Sequence, residues 1–181
     1  MSDLPSTVEI HEEGPREGFQ IEPGPISTVD KVKLIDALSK TGLKHIQACS
    51  FVNPRLVPGW ADAEKVVESF DAHEDVEYTG LYFNGNGLDR ALAFKDKLTI
   101  SGSISLTASE GFTKKNLNRT HAENMAAMER HVMSHLELGI PVNRIGVMAA
   151  FGCNYQGDIS PATVIKTLED GMQIAAKTGA E

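Results

Sequence analysis

Short runs of β-branched residues alternate with longer amphipathic segments along nearly the whole 181-residue chain. The runs have the length of strands, and the segments between them repeat their apolar residues with the period of a helix. Five strands are predicted, at 7–11, 45–51, 76–83, 98–106 and 144–151, and five helices, at 27–41, 62–70, 88–94, 120–139 and 160–179. Because consecutive parallel strands need crossover connections, five strand–helix units in a row predict an α/β protein with a parallel sheet.

The predicted helices begin at recognisable capping residues. Ser27 can accept hydrogen bonds from the first turn of its helix. Thr120 and Glu123 form a T-x-x-E capping box, in which each side chain satisfies a backbone donor that the helix leaves unpaired. Ser160 followed by Pro161 is a typical cap and first-turn pair.

Two parallel architectures fit this order of elements. A doubly wound open sheet could be complete at this length, whereas a TIM barrel repeats the unit eight times over typically about 250 residues. The longest loops follow strands one, two, four and five, on the face where barrel enzymes place their active sites. The loop lengths therefore favour the barrel, although periodicity alone does not decide between the two architectures.

Composition narrows the functional classes. The net charge of −8 and the pI near 5.2 argue against nucleic acid or an anionic membrane surface as the main partner. Cys49 and Cys153 form neither a disulfide framework nor a clustered zinc pattern. With no apolar run of membrane-spanning length and no signal peptide at the N-terminus, the sequence predicts a cytoplasmic protein.

The segment 14–20, Gly-Pro-Arg-Glu-Gly-Phe-Gln, directly follows the first predicted strand. Its glycines and proline predict a loop with special backbone angles, which extends to Gly24. The Arg16 guanidinium could bind a substrate carbonyl through two donors, and the Glu17 carboxylate is a hard oxygen ligand suited to Mg²⁺ or Mn²⁺. On residue types alone, a solvated surface ion pair explains these two residues equally well.

The same segment resembles the G-P-R-D-G-L-Q signature of the hydroxymethylglutaryl-CoA lyase family. The resemblance continues through 50–58, at 108–116 (close to A-S-E-x-F-T-K-K-N) and at 151–161. These motifs occur in the family's order, one after each of strands one, two, four and five. They span nearly the whole chain, which makes the signal specific.

The resemblance implies a (β/α)8 TIM barrel, of which 1–181 is a single partial domain with about five strand–helix units and with its C-terminal units missing. It also implies a divalent cation, Mg²⁺ or Mn²⁺, and cleavage of hydroxymethylglutaryl-CoA to acetoacetate and acetyl-CoA. Arg16 would then polarise the substrate carbonyl, Glu17 would bind the metal, and Gln20 would support both. Lys114 and Lys115 could bind the phosphates of a CoA tail or could be a solvated basic pair, and the residue types do not decide between these. The expected partner is an acyl-CoA thioester. Nucleic acid and membrane are not expected, and a homodimer is left open.

The sequence departs from the family in three places. Glu17 is one methylene longer than the family's aspartate, and Gln47 stands where glutamate is common. The family's His-x-His metal ligands and glycine-rich cysteine loop have no counterpart, so we expect them to lie beyond Glu181. Two alternatives stay open: a lyase for another 3-hydroxy-acyl-CoA, such as a citramalyl-type substrate, and an inactive fragment.

Other reactive residues have ordinary structural explanations. His131 and His135 lie one helical turn apart but lack the glutamate of the H-E-x-x-H motif, so we expect ordinary histidines on a helix surface. Cys49 and Cys153 are expected to be small packed side chains. His45 opens a strand and is expected to be structural.

Overall fold

The computed structural model describes residues 4–24 and 26–180, and the chain divides into two compact units between Ile100 and Ser101. The first unit contains strands β1 (His11–Glu12), β2 (His45–Ser50) and β3 (Glu77–Leu81), helices α1 (Gly14–Ile21), α2 (Thr28–Leu38), α3 (Ala63–Ser69) and α4 (Gly85–Leu92), and a 3-10 turn at Pro58–Trp60. The second unit contains strands β4 (Gly102–Thr107) and β5 (Val142–Met148), and helices α5 (Glu110–Leu117), α6 (His121–Glu137) and α7 (Pro161–Thr178).

In the first unit, β2 is the central strand of a parallel sheet ordered β1–β2–β3. Ile46 and Ala48 are fully buried in the main hydrophobic core, whereas His45 and Gln47 are half-buried. This alternation follows from the two-residue period of a strand, which sends neighbouring side chains to opposite faces. One face of β2 therefore packs into the core, and the opposite face carries the polar residues of the candidate site.

In the second unit, β4 and β5 pair in parallel and pack against α6 and α7. The predicted capping box is present, with Glu123 N donating to Thr120 Oγ1 at 3.2 Å and Thr120 N donating to Glu123 Oε2 at 2.7 Å. Ser160 caps α7, and Gly179 ends it with a left-handed φ of 78°. These local signals in the sequence therefore set the helix boundaries correctly.

The five strand–helix repeats are confirmed, and the strands of each sheet pair in parallel. Four local predictions are wrong. The first strand is not 7–11, since β1 contains only His11 and Glu12, and the fourth strand starts at Gly102 instead of at residue 98. The segment predicted as a loop to Gly24 contains α1, and the loop after the fourth strand contains α5. Proline and glycine suggested loops there. Proline is nevertheless tolerated in a first helical turn, because an N–H in that position has no acceptor within the helix and its absence costs nothing.

His135 is not a surface residue, because its side chain is 2% exposed. It lies three residues after the buried Val132, at the edge of the apolar stripe that Met128 and Leu136 extend. The ring lies over Gly102, where a Cβ would come within 3.0 Å of it. The stripe of α6 is thus wider than its apolar residues alone indicate.

No helix in the described part of the chain is long and apolar enough to cross a bilayer.

Partial burial, followed by the neighbouring His135 ring, lowers the pKa of His131 from its ordinary value of 6.5 to about 4. Between these values the unfolded chain binds more protons than the folded one, so the free energy of unfolding should fall as the pH drops from about 7 toward 4. Urea unfolding at several pH values should show this fall, and it should be shallower in His131→Gln. The exposed His73 is the control, since His73→Gln should keep the wild-type slope. An unchanged slope in His131→Gln would contradict the assignment.

Candidate active site

Helix α1 begins directly after β1 and determines where the Gly-Pro-Arg-Glu segment points. The Glu12 carboxylate accepts a hydrogen bond from Gly14 N at 2.5 Å, which satisfies a donor of the first turn. Pro15 is buried at the start of the helix, and Phe19 packs against the core of the first unit. Arg16 therefore lies on a helix that is held at its start by Glu12 and Pro15 and further along by Phe19, rather than on an irregular loop.

The Arg16 guanidinium is surrounded by oxygen atoms on three sides. Its Nε donates to Gln47 Oε1 at 2.5 Å, its Nη2 donates to Glu13 Oε2 at 2.6 Å, and its Nη1 pairs with the Glu17 carboxylate. The Arg16 side chain is 13% exposed, whereas those of Glu13 and Glu17 are about half exposed. The cation is thus held in a fixed orientation beside two carboxylates that solvent or a ligand can reach.

Gln47 reaches Arg16 from β2, next to an irregularity in that strand. Gln47 pairs with Thr79 and Cys49 with Gly80, so Ala48 is an extra residue on the β2 side. Such bulges re-aim side chains and occur often beside active sites. A side chain at Gly80 would come within 2.7 Å of the Phe51 ring, so glycine allows the two strands to approach here.

A chain of buried contacts holds the backbone of Arg16. Trp60 Nε1 donates to the Arg16 carbonyl oxygen at 3.0 Å, and the fully buried Trp60 ring lies 4.8 Å from Lys31 Nζ in a cation–π contact. Lys31 is 2% exposed, and its ammonium donates to Gly59 O at 2.5 Å and Asp62 Oδ1 at 2.6 Å. Residues of α2 and of the 3-10 turn therefore fix the position of the Arg16 backbone.

Asp62 is the anion that makes a buried Lys31 tolerable. Burial alone would raise the pKa of its carboxyl, but hydrogen bonds from Lys31 and from Thr28, which donates at 2.6 Å, hold the pKa below its usual range. Asp62 therefore stays charged at neutral pH.

Gln20 lies one helical turn after Arg16, at an exposed position of α1. The i, i+4 spacing places it on the same face of the helix as Arg16. The structure thus brings Arg16, Glu17 and Gln47 into contact and leaves Gln20 beside them.

The second unit carries its own cluster after β4 and β5. The Ser109 hydroxyl lies 3.0 Å from Cys153 Sγ and 3.1 Å from Gln156 Oε1, and Phe112 contacts the Tyr155 ring edge-on. The hydrogen bond with Ser109 lowers the pKa of the partly exposed Cys153 thiol. Cys49 is the small packed side chain that the sequence predicts, since burial raises its pKa and it is 0% exposed.

Lys114 and Lys115 lie in the last turn of α5, in the second unit, and both are exposed. Ser109 caps this helix by accepting a hydrogen bond from Phe112 N, and Asn118 ends it in a left-handed conformation with φ 51°. Both signals are present in the sequence and could have predicted the helix.

One group of possible metal ligands was not anticipated. Glu9, His11 and His45 hold their ligand atoms within 4.8 Å of one another, and Glu17 does not belong to any group of three such residues in the part of the chain that the structure describes. The strand register brings these side chains together, since His11 pairs with His45.

No protein-family model matches the chain. Among curated proteins it is 40% identical over 164 residues to the mitochondrial hydroxymethylglutaryl-CoA lyase of Macaca fascicularis, covering 91% of this chain and 49% of that protein. It is 39% identical over 165 residues to the cytoplasmic 3-hydroxy-3-methylglutaryl-CoA lyase of Rattus norvegicus, covering 91% and 47%. The chain thus spans about half the length of the curated relatives it matches.

Solved structures show the same likeness. The hydroxymethylglutaryl-CoA lyase of Pseudomonas aeruginosa matches with a TM-score of 0.83 at 29% identity, over 96% of this chain and 56% of that one. The lyase of Acinetobacter baumannii, in complex with coenzyme A and 3-methylmalate, matches with a TM-score of 0.78 at 31% identity, over 97% and 56%. These neighbours are TIM barrels, so the five parallel units are a partial set of barrel units and the fold prediction is confirmed.

The Lys31–Asp62 pair offers a direct test of the anchoring below Arg16. Lys31→Met should lower the free energy of unfolding by about 2–4 kcal/mol, because it leaves a partly buried carboxylate without its cation. The matched control is Lys33→Met on the same helix, where the side chain is 71% exposed and the change should stay within about 0.5 kcal/mol. Equal effects of the two substitutions in urea unfolding would contradict the anchoring role.

Proposed function

We propose that this chain, a homologue of the hydroxymethylglutaryl-CoA lyases, carries the Arg16 part of the active site of a lyase that cleaves hydroxymethylglutaryl-CoA to acetoacetate and acetyl-CoA. The observation that carries the proposal is the Arg16 guanidinium, fixed by Gln47 from β2 and by Trp60 on its backbone. The coverage of its relatives supports a single barrel domain to which 1–181 contributes the first five units.

The reaction breaks the bond between C2 and C3 of the acyl chain. Removal of the proton from the C3 hydroxyl lets that carbon become the ketone of acetoacetate, while the bonding electrons pass to C2 and form the enolate of acetyl-CoA. A proton then returns to C2. The barrier is high because negative charge develops on the thioester oxygen, so a cation fixed beside this oxygen stabilises the transition state.

Arg16 suits this role because its donors are only partly used. A guanidinium has five N–H donors, and the contacts with Gln47, Glu13 and Glu17 occupy three of them. The remaining donors can bind the thioester oxygen and strengthen that bond as the enolate forms. Because its position is already fixed, Arg16 need not reorganise during the reaction.

A divalent cation fits the same site through Glu17. Two carboxylates around one guanidinium leave a net charge of −1, and Mg²⁺ is commonly bound by one or two carboxylates together with water and substrate oxygens. When bound, such an ion acts as a Lewis acid on the substrate hydroxyl and carbonyl oxygens. Glu17 would be its ligand in this chain, and Gln47 keeps the local charge less negative than a glutamate would.

The partner we propose is an acyl-CoA thioester, with Gln20 near the reacting end and Lys114 and Lys115 as exposed cations for the phosphates of CoA. The coenzyme A bound to the Acinetobacter lyase supports this ligand class. A cytoplasmic location agrees with the cytoplasmic lyases of Rattus norvegicus and Danio rerio among the relatives, which also include mitochondrial forms.

The activity test uses the protein expressed from the complete reading frame that contains this chain. With hydroxymethylglutaryl-CoA and Mg²⁺ or Mn²⁺, acetyl-CoA should form, and a chelator should stop it. Arg16→Lys should lower kcat by about 10²–10³-fold, because a point charge cannot replace the oriented donors. The exposed Arg130 is the control, since Arg130→Lys should leave kcat unchanged. A folded, metal-loaded protein without cleavage would refute this substrate and direct the assay to citramalyl-type thioesters.

Glu17 is tested by the metal dependence of the same activity. Glu17→Gln should raise the Mg²⁺ concentration for half-maximal rate by about tenfold or more, because the amide is a weaker ligand than the carboxylate. Glu17→Asp should retain activity, since aspartate occupies this position in the family. Glu22→Gln, at an exposed position just after α1, is the control. If Glu17→Gln kept the wild-type metal dependence, Glu17 would not be a ligand.

A further inference from the structure

A second polar cluster lies at the first residues of the strands of the first unit, before the position on β2 where Gln47 contacts Arg16. The strand register places His11 beside His45 and His45 beside Glu77, and Glu9 precedes His11 by two residues. His45 and Glu77 are the first residues of β2 and β3, whereas Gln47 lies two residues, roughly 7 Å, further along β2. The cluster is therefore distinct from the Arg16 site.

One carboxylate oxygen links the two histidines. Glu9 Oε1 contacts His45 Nε2 and lies 3.5 Å from His11 Nε2, and the three ligand atoms all lie within 4.8 Å of one another. A tetrahedral ion with ligand bonds of about 2.0–2.1 Å places its ligand atoms roughly 3.4 Å apart. Only a small rearrangement would bring all three onto one ion.

The side chains have the freedom that this rearrangement requires. The His11 and His45 rings stack 4.1 Å apart and nearly parallel, at 10°, so both must turn for their Nε2 atoms to face one point. The Glu9 and His11 side chains are 61% and 52% exposed, so they can turn without disturbing the core. His45 is 23% exposed and is the more fixed of the two rings.

Glu77 completes the arrangement from outside. Its Oε2 lies 3.3 Å from His45 Nδ1, the ring nitrogen that faces away from Glu9. A carboxylate at this position accepts a hydrogen bond from Nδ1–H, leaves Nε2 as the lone-pair donor and raises its basicity, as in carboxylate–histidine–zinc arrangements. An ordinary surface ion pair would not need a second carboxylate on the far side of the ring.

We propose that Glu9, His11 and His45 bind a Zn²⁺ ion, with Glu77 orienting His45. Two imidazole nitrogens and one carboxylate suit Zn²⁺, whereas Mg²⁺ and Mn²⁺ prefer oxygen ligands. The ion joins the segment before β1 to the central strand β2. Since β1 has only two paired residues, this link reinforces the weakest pairing of the sheet.

The test is direct metal binding by the purified 181-residue chain after removal of metal with a chelator. Zn²⁺ is titrated against a chromophoric chelator, and Co²⁺ is used as a spectroscopic probe because tetrahedral Co²⁺ absorbs strongly in the visible range. We expect one equivalent per chain and a metal-dependent rise of the unfolding temperature. Glu9→Gln, His11→Gln and His45→Gln should each weaken binding by more than about tenfold, and Glu77→Gln by about tenfold or more.

The controls separate this site from the Arg16 site and from misfolding. His73→Gln removes an exposed histidine elsewhere in the first unit, and Glu17→Gln removes the proposed lyase ligand, so both should bind Zn²⁺ like the wild type. Because Glu9 is mostly exposed, Glu9→Gln should keep the metal-free unfolding temperature. Absence of Zn²⁺ uptake, or uptake unaffected by the three ligand substitutions, would overturn the proposal. Uptake lost in Glu17→Gln alone would place the ion at the lyase site instead.

Discussion

Arg16 is held by contacts of two kinds, and the catalytic role that we propose for it depends on both. Gln47, Glu13 and Glu17 orient the charged group itself, whereas Trp60 fixes the backbone through the Arg16 carbonyl. The buried Lys31 in turn makes a cation–π contact with the Trp60 ring and donates a hydrogen bond to the Gly59 carbonyl. In the lyase reaction that we propose, a cation that stabilises the developing enolate is effective only if its position is set before the reaction, because reorganisation would consume the stabilisation.

This arrangement distributes charge unequally along β2. Near Gln47, carboxylates outnumber the cation and the atoms available to a ligand are oxygens, which favours a hard ion and an anionic transition state held by Arg16. Near His45, imidazole nitrogens dominate and favour a softer ion. The bulge at Ala48 directly follows Gln47 and lets this side chain contact Arg16 while Ile46 and Ala48 remain in the core. One strand can therefore serve two different ligand chemistries.

Several parts of the fold and site were predictable from local patterns. The caps at Ser27, Thr120 and Ser160 lie where the sequence places them, and the order of five parallel units follows from the alternation of periods. The pairing of Arg16 with Glu17 needed only their adjacency. By contrast, α1 was missed because Gly14 and Pro15 disfavour helix in isolation, and its first turn depends on a carboxylate from β1 and on burial of Pro15. His135 was misplaced because its burial depends on the space left by Gly102 on a strand more than 30 residues earlier.

The sequence alone determined the class of fold, the family resemblance and the residue types of the candidate site, because periodicity, capping and motif order are properties of neighbouring residues. Only the tertiary structure decided which of these residues meet. Gln47 reaches Arg16, and His11 reaches His45 and Glu9, through the register of parallel strands and the bulge in β2. Strand register is set by how side chains from distant segments pack into one core, so no local pattern specifies it.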